Sequence, residues 1–385
     1  MSKITGSLAQ WWSNIQDTLF PLLEEELDPL TKKQQQLVTI LEVVRIEQYV
    51  PDYRFYEGRP RKTRCAIARS FVAKMVYNMD TTRGLWERLH SDKNLRRICG
   101  WESKGHLPSE ATFSRAFAEF AETRLPQQVH EALVKKTFME TIVLHNSRDS
   151  TAIEARQKRE VEHKVPEAQP EHKPAKKRGR PKKGEEVPAK EPTRIERQRT
   201  MSLKEMLAEL PQKCDIGTKK NSKGHAEHWI GFKLHLDTID GCIPISAVLT
   251  SASVHDSQVA IPLATITANR IVNLYDLMDA AYDVPGILEH SRSLGHVPLV
   301  DKNPRRDKVL AQELEDEAKR QHLIHMESPE KVRYRTRTTA ERANARLKDE
   351  FGGRMVRVQG YAKVLCHLMF GVLALTADQL MQLVT

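Results

Sequence analysis

Apolar positions recur every three or four residues through the first third of the chain, then every second residue in several later segments. LTKKQQQLVTILEVVRIEQYV carries Leu37, Ile40, Leu41 and Val44 at helical spacing, and RTRCAIARSFVAKMVYNM continues in the same style. PSEATFSRAFAEFAETRL sets Phe113, Ala116, Phe117, Phe120 and Ala121 on one face, with Arg115, Glu119 and Glu122 opposite. Pro108 and Ser109 mark the start of that helix and Pro126 its stop. These patterns predict an all-helical region over roughly residues 10 to 138, with 1–138 as the first domain.

Beyond it the period shortens. TIVLHNSRDST, residues 141 to 151, is a β-prone run expected to end at Asp149. HWIGFKLHLDTIDGCIPISAVLT reads as two strands about the turn signal Asp240-Gly241. A helix near 256–269, the strand IVNLYDLMD closing at Asp279, a helix near 284–294 and the strand HVPLVDK follow. YRTRTTAERANARLKDE, residues 334–350, reads as one helix, and a long apolar helix ends the chain. Strand, hairpin, helix, strand, helix, strand, helix is an α/β order with a mixed sheet, so 139–385 forms the second domain. Two stretches interrupt it. Residues 152–227 include a Pro-, Lys- and Glu-rich run with little to bury, expected to be disordered, followed by a short helix after the Ser202/Glu205 capping box. Residues 303–333 are charged and expected to be helical in part.

Charge narrows the partner. The 385 residues carry a formal charge of +10 and a pI near 9.3, which favours a polyanion. No basic amphipathic helix stands out, so nucleic acid is expected rather than membrane. Five scattered cysteines offer no CxxC pair and no disulfide framework, and Cys214 with His225 and His228 falls short of a zinc set. MSKITGSLAQWW lacks the apolar segment of a signal peptide. VLCHLMFGVLALTA, residues 364–377, is too short to cross a bilayer and is expected to be a buried core helix. Together these point to a reducing cytosol.

Candidate chemistry lies in three acids. Asp149 and Asp279 fall where strands are expected to end, and Glu341 lies on the helix that follows the sheet. Carboxyl ends of neighbouring strands share one sheet edge, and a flanking helix can add a third carboxylate. Such a set repels itself unless hard cations sit among its oxygens, and Mg²⁺ takes carboxylates together with substrate phosphates. Two such ions about 3.5–4 Å apart clamp the attacking and leaving oxygens of phosphoryl transfer.

The residues around these acids resemble the DDE transposases of bacterial insertion sequences. Tyr334, Arg337, Glu341 and Lys348 match the Tyr-x2-Arg-x3-Glu-x6-Lys signature of one large group. DAAYD, residues 279–283, is similar to the family's Asp-x-x-Tyr-Asp around the second acid, and RDST, 148–151, to the segment around the first. PSEATFSRAF, GFKLHLD and VHDS add family-like texture from about residue 60 onward. The resemblance implies a ribonuclease H-like catalytic domain in which Asp149, Asp279 and Glu341 are catalytic and hold Mg²⁺ or Mn²⁺, two ions. It implies that Tyr334, Arg337 and Lys348 contact DNA. It also implies cleavage at terminal inverted repeats, transfer of the cut end into target double-stranded DNA, a homo-oligomer in the transposition complex, and a cytoplasmic, nucleoid-associated bacterial protein. The competing reading is a non-catalytic or domesticated DNA-binding protein using the same basic surfaces.

Two further segments bear on DNA. Of the eleven residues from Lys173 to Lys183, seven are Lys or Arg. Arg178-Gly179-Arg180-Pro181, followed by Lys182, looks like an AT-hook, in which arginines enter a narrow A·T-rich minor groove. A solubilising linker that binds any DNA through counterion release is the alternative. Arg115 and Thr112, on the polar face of their helix, are candidates to read a major groove.

Overall fold

The computed structural model describes residues 2–51, 63–160, 191–220, 224–302, 304 and 307–384. Arg178, Arg180 and Lys182 lie outside them. Helices account for most of the chain up to Phe138, starting earlier than expected with Ser2–Asn14 and ending with Glu110–Glu122 and Leu125–Phe138. In Glu110–Glu122, Phe113, Ala116, Phe117, Phe120 and Ala121 are all buried, as the apolar spacing requires. Arg115 stays exposed on the opposite face and Thr112 is half-buried there. The helix stops at Glu122, shortly before Pro126, as expected. Pro126 stands in the first turn of the following helix, where the missing N–H has no partner to lose.

Six strands form one mixed sheet: β1 (Ile142–Glu154), β2 (Asp215–Lys220), β3 (Ala226–Ile239), β4 (Ile243–Ser251), β5 (Val272–Met278) and β6 (Val297–Val300). β1 is antiparallel to β3 and parallel to β5, and β5 is parallel to β6. One edge of β3 is shared: β2 pairs with its first half, up to Gly231, and β4 with its second half from Phe232. At this handover a Cβ on Gly231 would sit 2.1 Å from the Ile153 carbonyl oxygen of β1, so only glycine lets the three strands approach.

Three expectations need correction. β1 does not end at Asp149 but runs five residues further, because β3 is long enough to pair with it to Glu154. The 152–227 interruption is less irregular than its composition suggested. It contributes the end of β1, the helices Arg194–Gln198 and Leu203–Glu209, and all of β2. Residues 334–350 are not one helix: Pro329–Tyr334 ends in a 3-10 turn, Arg335–Arg337, before Thr338–Glu350 begins. The charged 303–333 stretch is partly helical as expected, in Lys308–Leu323.

The final helix, Tyr361–Gln382, is long and apolar enough to cross a membrane, so the length argument against that role fails. Burial supplies the argument instead, since nearly all of it lies inside the protein. Phe370 meets Phe71 and Phe117 of the helical region at ring-centroid distances of 5.8 and 6.3 Å. The same hydrophobic cluster includes Phe232 and Leu234 of β3 and Leu347 of Thr338–Glu350. Helical region, sheet and signature helix therefore rest on one continuous core. A Cβ at Gly371 would collide with the Phe351 carbonyl at 2.4 Å, so glycine there lets the end of the signature helix seat against the core helix.

Candidate active site

Strand register brings the first two acids together. Ile142 of β1 lies beside Val272 of β5, and Ser147 beside Leu277. Two residues further along, the same register sets Asp149 alongside Asp279, which directly follows the last residue of β5. Register partners in parallel strands point to the same face, with backbones about 4.8 Å apart. Asp149 shares that face with Ser147, whose hydroxyl lies 3.1 Å from the Thr339 hydroxyl of the signature helix. The helix also reaches Asp149 directly: Asn344 Nδ2 donates to its Oδ2 at 3.0 Å.

Where β5 stops, Asp279 Oδ1 accepts the Ala281 N–H at 2.9 Å and caps a 3-10 turn. Tyr282, the tyrosine of DAAYD, is fully buried in that turn and anchors it among Ala260, Met278 and Ile287. The motif's tyrosine thus holds the second acid in place without facing it towards solvent.

The third acid is held apart. Glu341 is half exposed and paired with Arg337 one turn earlier. The Arg337 guanidinium also lies 4.0 Å from Asp149 and over the Tyr334 ring at 5.8 Å. One fork therefore stands between the carboxylates of Asp149 and Glu341. Burial works against its charge, but Tyr334, Glu341, Asp149 and Asp279 together hold its pKa above the usual range. Lys348, two turns beyond Glu341, is half-buried near Lys219, Arg354 and Glu154, and burial with the two neighbouring cations lowers its pKa.

Burial pushes the Asp149 carboxyl up to about 6, outweighing the Ser150 backbone, Arg337 and Asn344, which favour its charge. Burial also raises Asp279, with the nearby Asp256 adding to it. Both are carboxylates short of positive charge, the donor chemistry that suits a hard divalent cation. Among the described residues, however, no group of three His, Cys, Asp or Glu side chains is close enough to hold a metal ion. Asp149 and Asp279 fit a metal as a pair, and Glu341 does not join them while Arg337 grips it.

Reading the sequence missed several participants. Asn344 lies one turn past Glu341, a helical spacing that could have drawn attention to it. Asp256, in the VHDS segment, bonds Lys233 Nζ at 3.0 Å, and His235 and Lys233 lower its pKa although burial pulls the other way. Arg148, next to Asp149, points to the opposite face of β1 and is fully buried. Its Nε and Nη2 donate to the two carboxyl oxygens of Asp237, each at 2.8 Å. Arg148 and Asp237 are direct cross-strand partners of β1 and β3. Thr267 Oγ1 and Asn146 Nδ2 also donate to Asp237, at 2.7 and 3.1 Å, and Asn146 extends the network to Asp276. Behind the two partly buried acids lies a hydrogen-bonded polar layer that ties β1, β3 and β5 together.

A family model described as Transposase DDE domain matches residues 148–377. It begins at the residue before Asp149 and takes in Asp279, Glu341 and Lys348. The chain belongs to the DDE transposase family. A second model, Transposase domain (DUF772), matches residues 25–119, most of the helical region. No curated protein and no solved structure matches the chain. Membership makes DNA the partner class and transposition the process, and members of this family typically use divalent metals. In this family member the helical region precedes a mixed-sheet domain, and the juxtaposed Asp149 and Asp279 lie within the matched segment.

Proposed function

We propose that the chain cuts DNA at the terminal inverted repeats of its element and joins the freed end to target DNA. The catalytic unit would be a ribonuclease H-like domain over 139–385, with 1–138 serving DNA binding or multimerisation. The observation that carries this reading is the β1/β5 register, which, continued two residues past Ser147 and Leu277, brings Asp149 of β1 level with Asp279 at the end of β5. Asp149, Asp279 and Glu341 would hold Mg²⁺ or Mn²⁺. When bound, the ions stabilise the attacking and leaving oxygens of phosphoryl transfer. Asn344 fixes Oδ2 of Asp149, so Oδ1, which faces Arg337 at 4.0 Å, would turn to the metal once Arg337 moves away.

Arg337 then acts as the gate for the third acid. A guanidinium binds phosphate as readily as carboxylate, through the same fork. A DNA phosphate that draws Arg337 away releases Glu341 towards the two aspartates, so the full acid set forms only with DNA in place. Tyr334 and Lys348 supply further phosphate contacts on the same segment. Water attacks the scissile phosphorus and the departing strand leaves with a 3′-hydroxyl. That hydroxyl then attacks a target phosphodiester, with no bond formed to the protein.

The test is Mg²⁺-dependent nicking of duplexes carrying the element's end sequence. Asp149→Asn, Asp279→Asn and Glu341→Gln should each abolish nicking while leaving DNA binding intact. Nicking by Asp149→Ala at the parent's rate would refute the assignment. The engagement of Glu341 by Arg337 also favours a second reading, a DNA-binding protein without catalysis. Metal-independent binding with no cleavage under any divalent ion would decide for it.

A further inference from the structure

A second cationic feature lies away from the acids, where the helical region meets the far end of β1. A cleft of about 470 Å³ is lined by Lys74 and Arg83 from the helical side, and by Arg156 and Arg357 from the sheet side. An adjoining cleft of about 420 Å³ continues it past Lys363. Five cations thus face two carboxylates, Asp80 and Glu110. Arg83 is satisfied by Glu87 at 3.1 Å. Arg156, Arg357 and Lys363 are exposed and make no ion pair with any described residue.

Lys74 is the telling member. It stands between the buried Ala73 and Met75 of the helix Arg64–Val76, only 3% exposed, and still lines the cleft. Among the described residues its ammonium has no hydrogen-bond or ion-pair partner, and Asp80 acts on it only at longer range. Burial holds its pKa down to about 8, which is a cost to folding. A buried cation kept without a partner, aimed into a cleft of further unpaired cations, is built for an anion that arrives from outside.

We infer that this cleft seats the phosphodiester backbone of the DNA whose end is processed at Asp149 and Asp279. The inference rests on the proposed function and adds a second anchoring point to it. Its position fits a continuous path. The signature helix runs along β1, with Thr339 by Ser147, Asn344 by Asp149 and Lys348 near Glu154. Arg156 lies just beyond, seven residues past Asp149, and an extended chain of that length reaches at most ~25 Å. Phosphates of one DNA strand repeat every ~3.4 Å along the axis, so a duplex spans the gap in about seven base pairs. Lys348 sits between the two ends of this track.

The experiment measures affinity for end-sequence duplex against salt concentration, for the full chain and for Arg156→Ala/Arg357→Ala. Both residues are exposed, so the fold should survive, and nicking at saturating DNA should persist because neither lies among the acids. Losing two phosphate contacts should lower the slope of log affinity against log salt by about 1.8, a loss of roughly 60-fold at ~0.1 M salt. A control pair, Lys204→Ala/Lys308→Ala, removes the same charge from exposed helices outside 1–138 and away from the cleft lining, and should leave the slope unchanged. Lys74→Met should weaken DNA binding while raising the thermal midpoint, a combination that a purely structural lysine does not give. The inference falls if Arg156→Ala/Arg357→Ala keeps the parent's slope, or if the control pair lowers it equally. It also falls if inorganic phosphate at millimolar concentration reduces the parent's DNA affinity to the variant's level, since the cleft would then serve a small free anion. A parent that binds no duplex at all overturns the proposed function along with it, whereas a parent that binds and nicks with an unaffected variant overturns only the cleft.

Discussion

Removing Asp237 should cost this protein more than removing any exposed acid of the site. Asp237 is fully buried and accepts both guanidinium bonds from Arg148, which is only 1% exposed. Truncating it to alanine leaves Arg148 with one weak hydrogen-bond contact, Nη1 to the Met278 sulfur at 3.3 Å. Breaking a buried pair from one side costs about 3–5 kcal/mol, against a total stability of about 5–15 kcal/mol for a typical domain. Asp237→Ala should therefore lose about a fifth or more of the folding free energy.

Removing both partners should cost less. In Arg148→Met/Asp237→Ala neither member of the pair is left buried without the other, and Asp276 keeps His296 and Ser291. Asn146 keeps its bond to Asp276 and Thr267 keeps those to Ser246 and Leu263, so the neighbours are not stranded. The double variant should be more stable than Asp237→Ala alone, giving a coupling energy of several kcal/mol with the sign of a mutually dependent pair. Urea unfolding of the parent, both single variants and the double variant measures this, provided all four share one m-value. Single costs that add to the double cost within about 0.5 kcal/mol would refute the reasoning, because independent sites behave that way.

Three other outcomes follow from particular contacts. Asn344→Ala should shift the Mg²⁺ dependence of nicking and lower its rate by about 10–100-fold, as loss of a group that orients a metal ligand does; DNA affinity should not change, and an unaltered Mg²⁺ titration would count against the role given to Asn344. Gly231→Ala should cost on the order of 3 kcal/mol by denaturant unfolding, since the new methyl meets the Ile153 carbonyl at 2.1 Å and neither strand can yield without losing pairs. Stability should also fall with acid: burial holds His130, His235 and His367 down to about 3, 4 and 3, whereas in the unfolded chain they titrate near ~6.5. Below that pH the unfolded state binds up to three protons that the native state refuses, each worth about 1.4 kcal/mol per pH unit. Asp149, raised to about 6, takes its proton first in the native state and offsets one of the three. A net loss of about 2–3 kcal/mol per unit between pH ~6 and ~4 is expected, and urea midpoints that stay level over that range would refute it.

Much of this site was legible from the order of residues, and what was not has definable physical causes. The helix Glu110–Glu122 and the strands around Asp240-Gly241 declare themselves because amphipathic period and turn chemistry are local properties. The acids could be named through a spaced signature, but their grouping depends on the β1/β5 register, which no single segment encodes. Asp149 looked like a strand end because polar residues crowd the run RDST. The strand continues there because β3 offers a partner as far as Glu154, and pairing with a distant strand overrides local polarity.

The least legible groups are the buried cations, and their two cases differ in kind. By default an arginine or lysine in a strand or helix is expected at the surface, which hid both Arg148 and Lys74. Arg148 is buried with its carboxylate across the strand pair, so its charge is neutralised within the fold and its work is to hold β1 against β3. Lys74 is buried with no such partner, at the wall of a cleft that opens to solvent. The same physics that makes the first pair self-sufficient leaves the second incomplete. Asp149 and Asp279 carry the complementary deficit, two carboxylates with their pKa values raised by burial and too little positive charge around them. One end of the β1 track lacks cations and the other lacks an anion, the two deficits that the proposed metal-bound phosphodiester backbone would fill together.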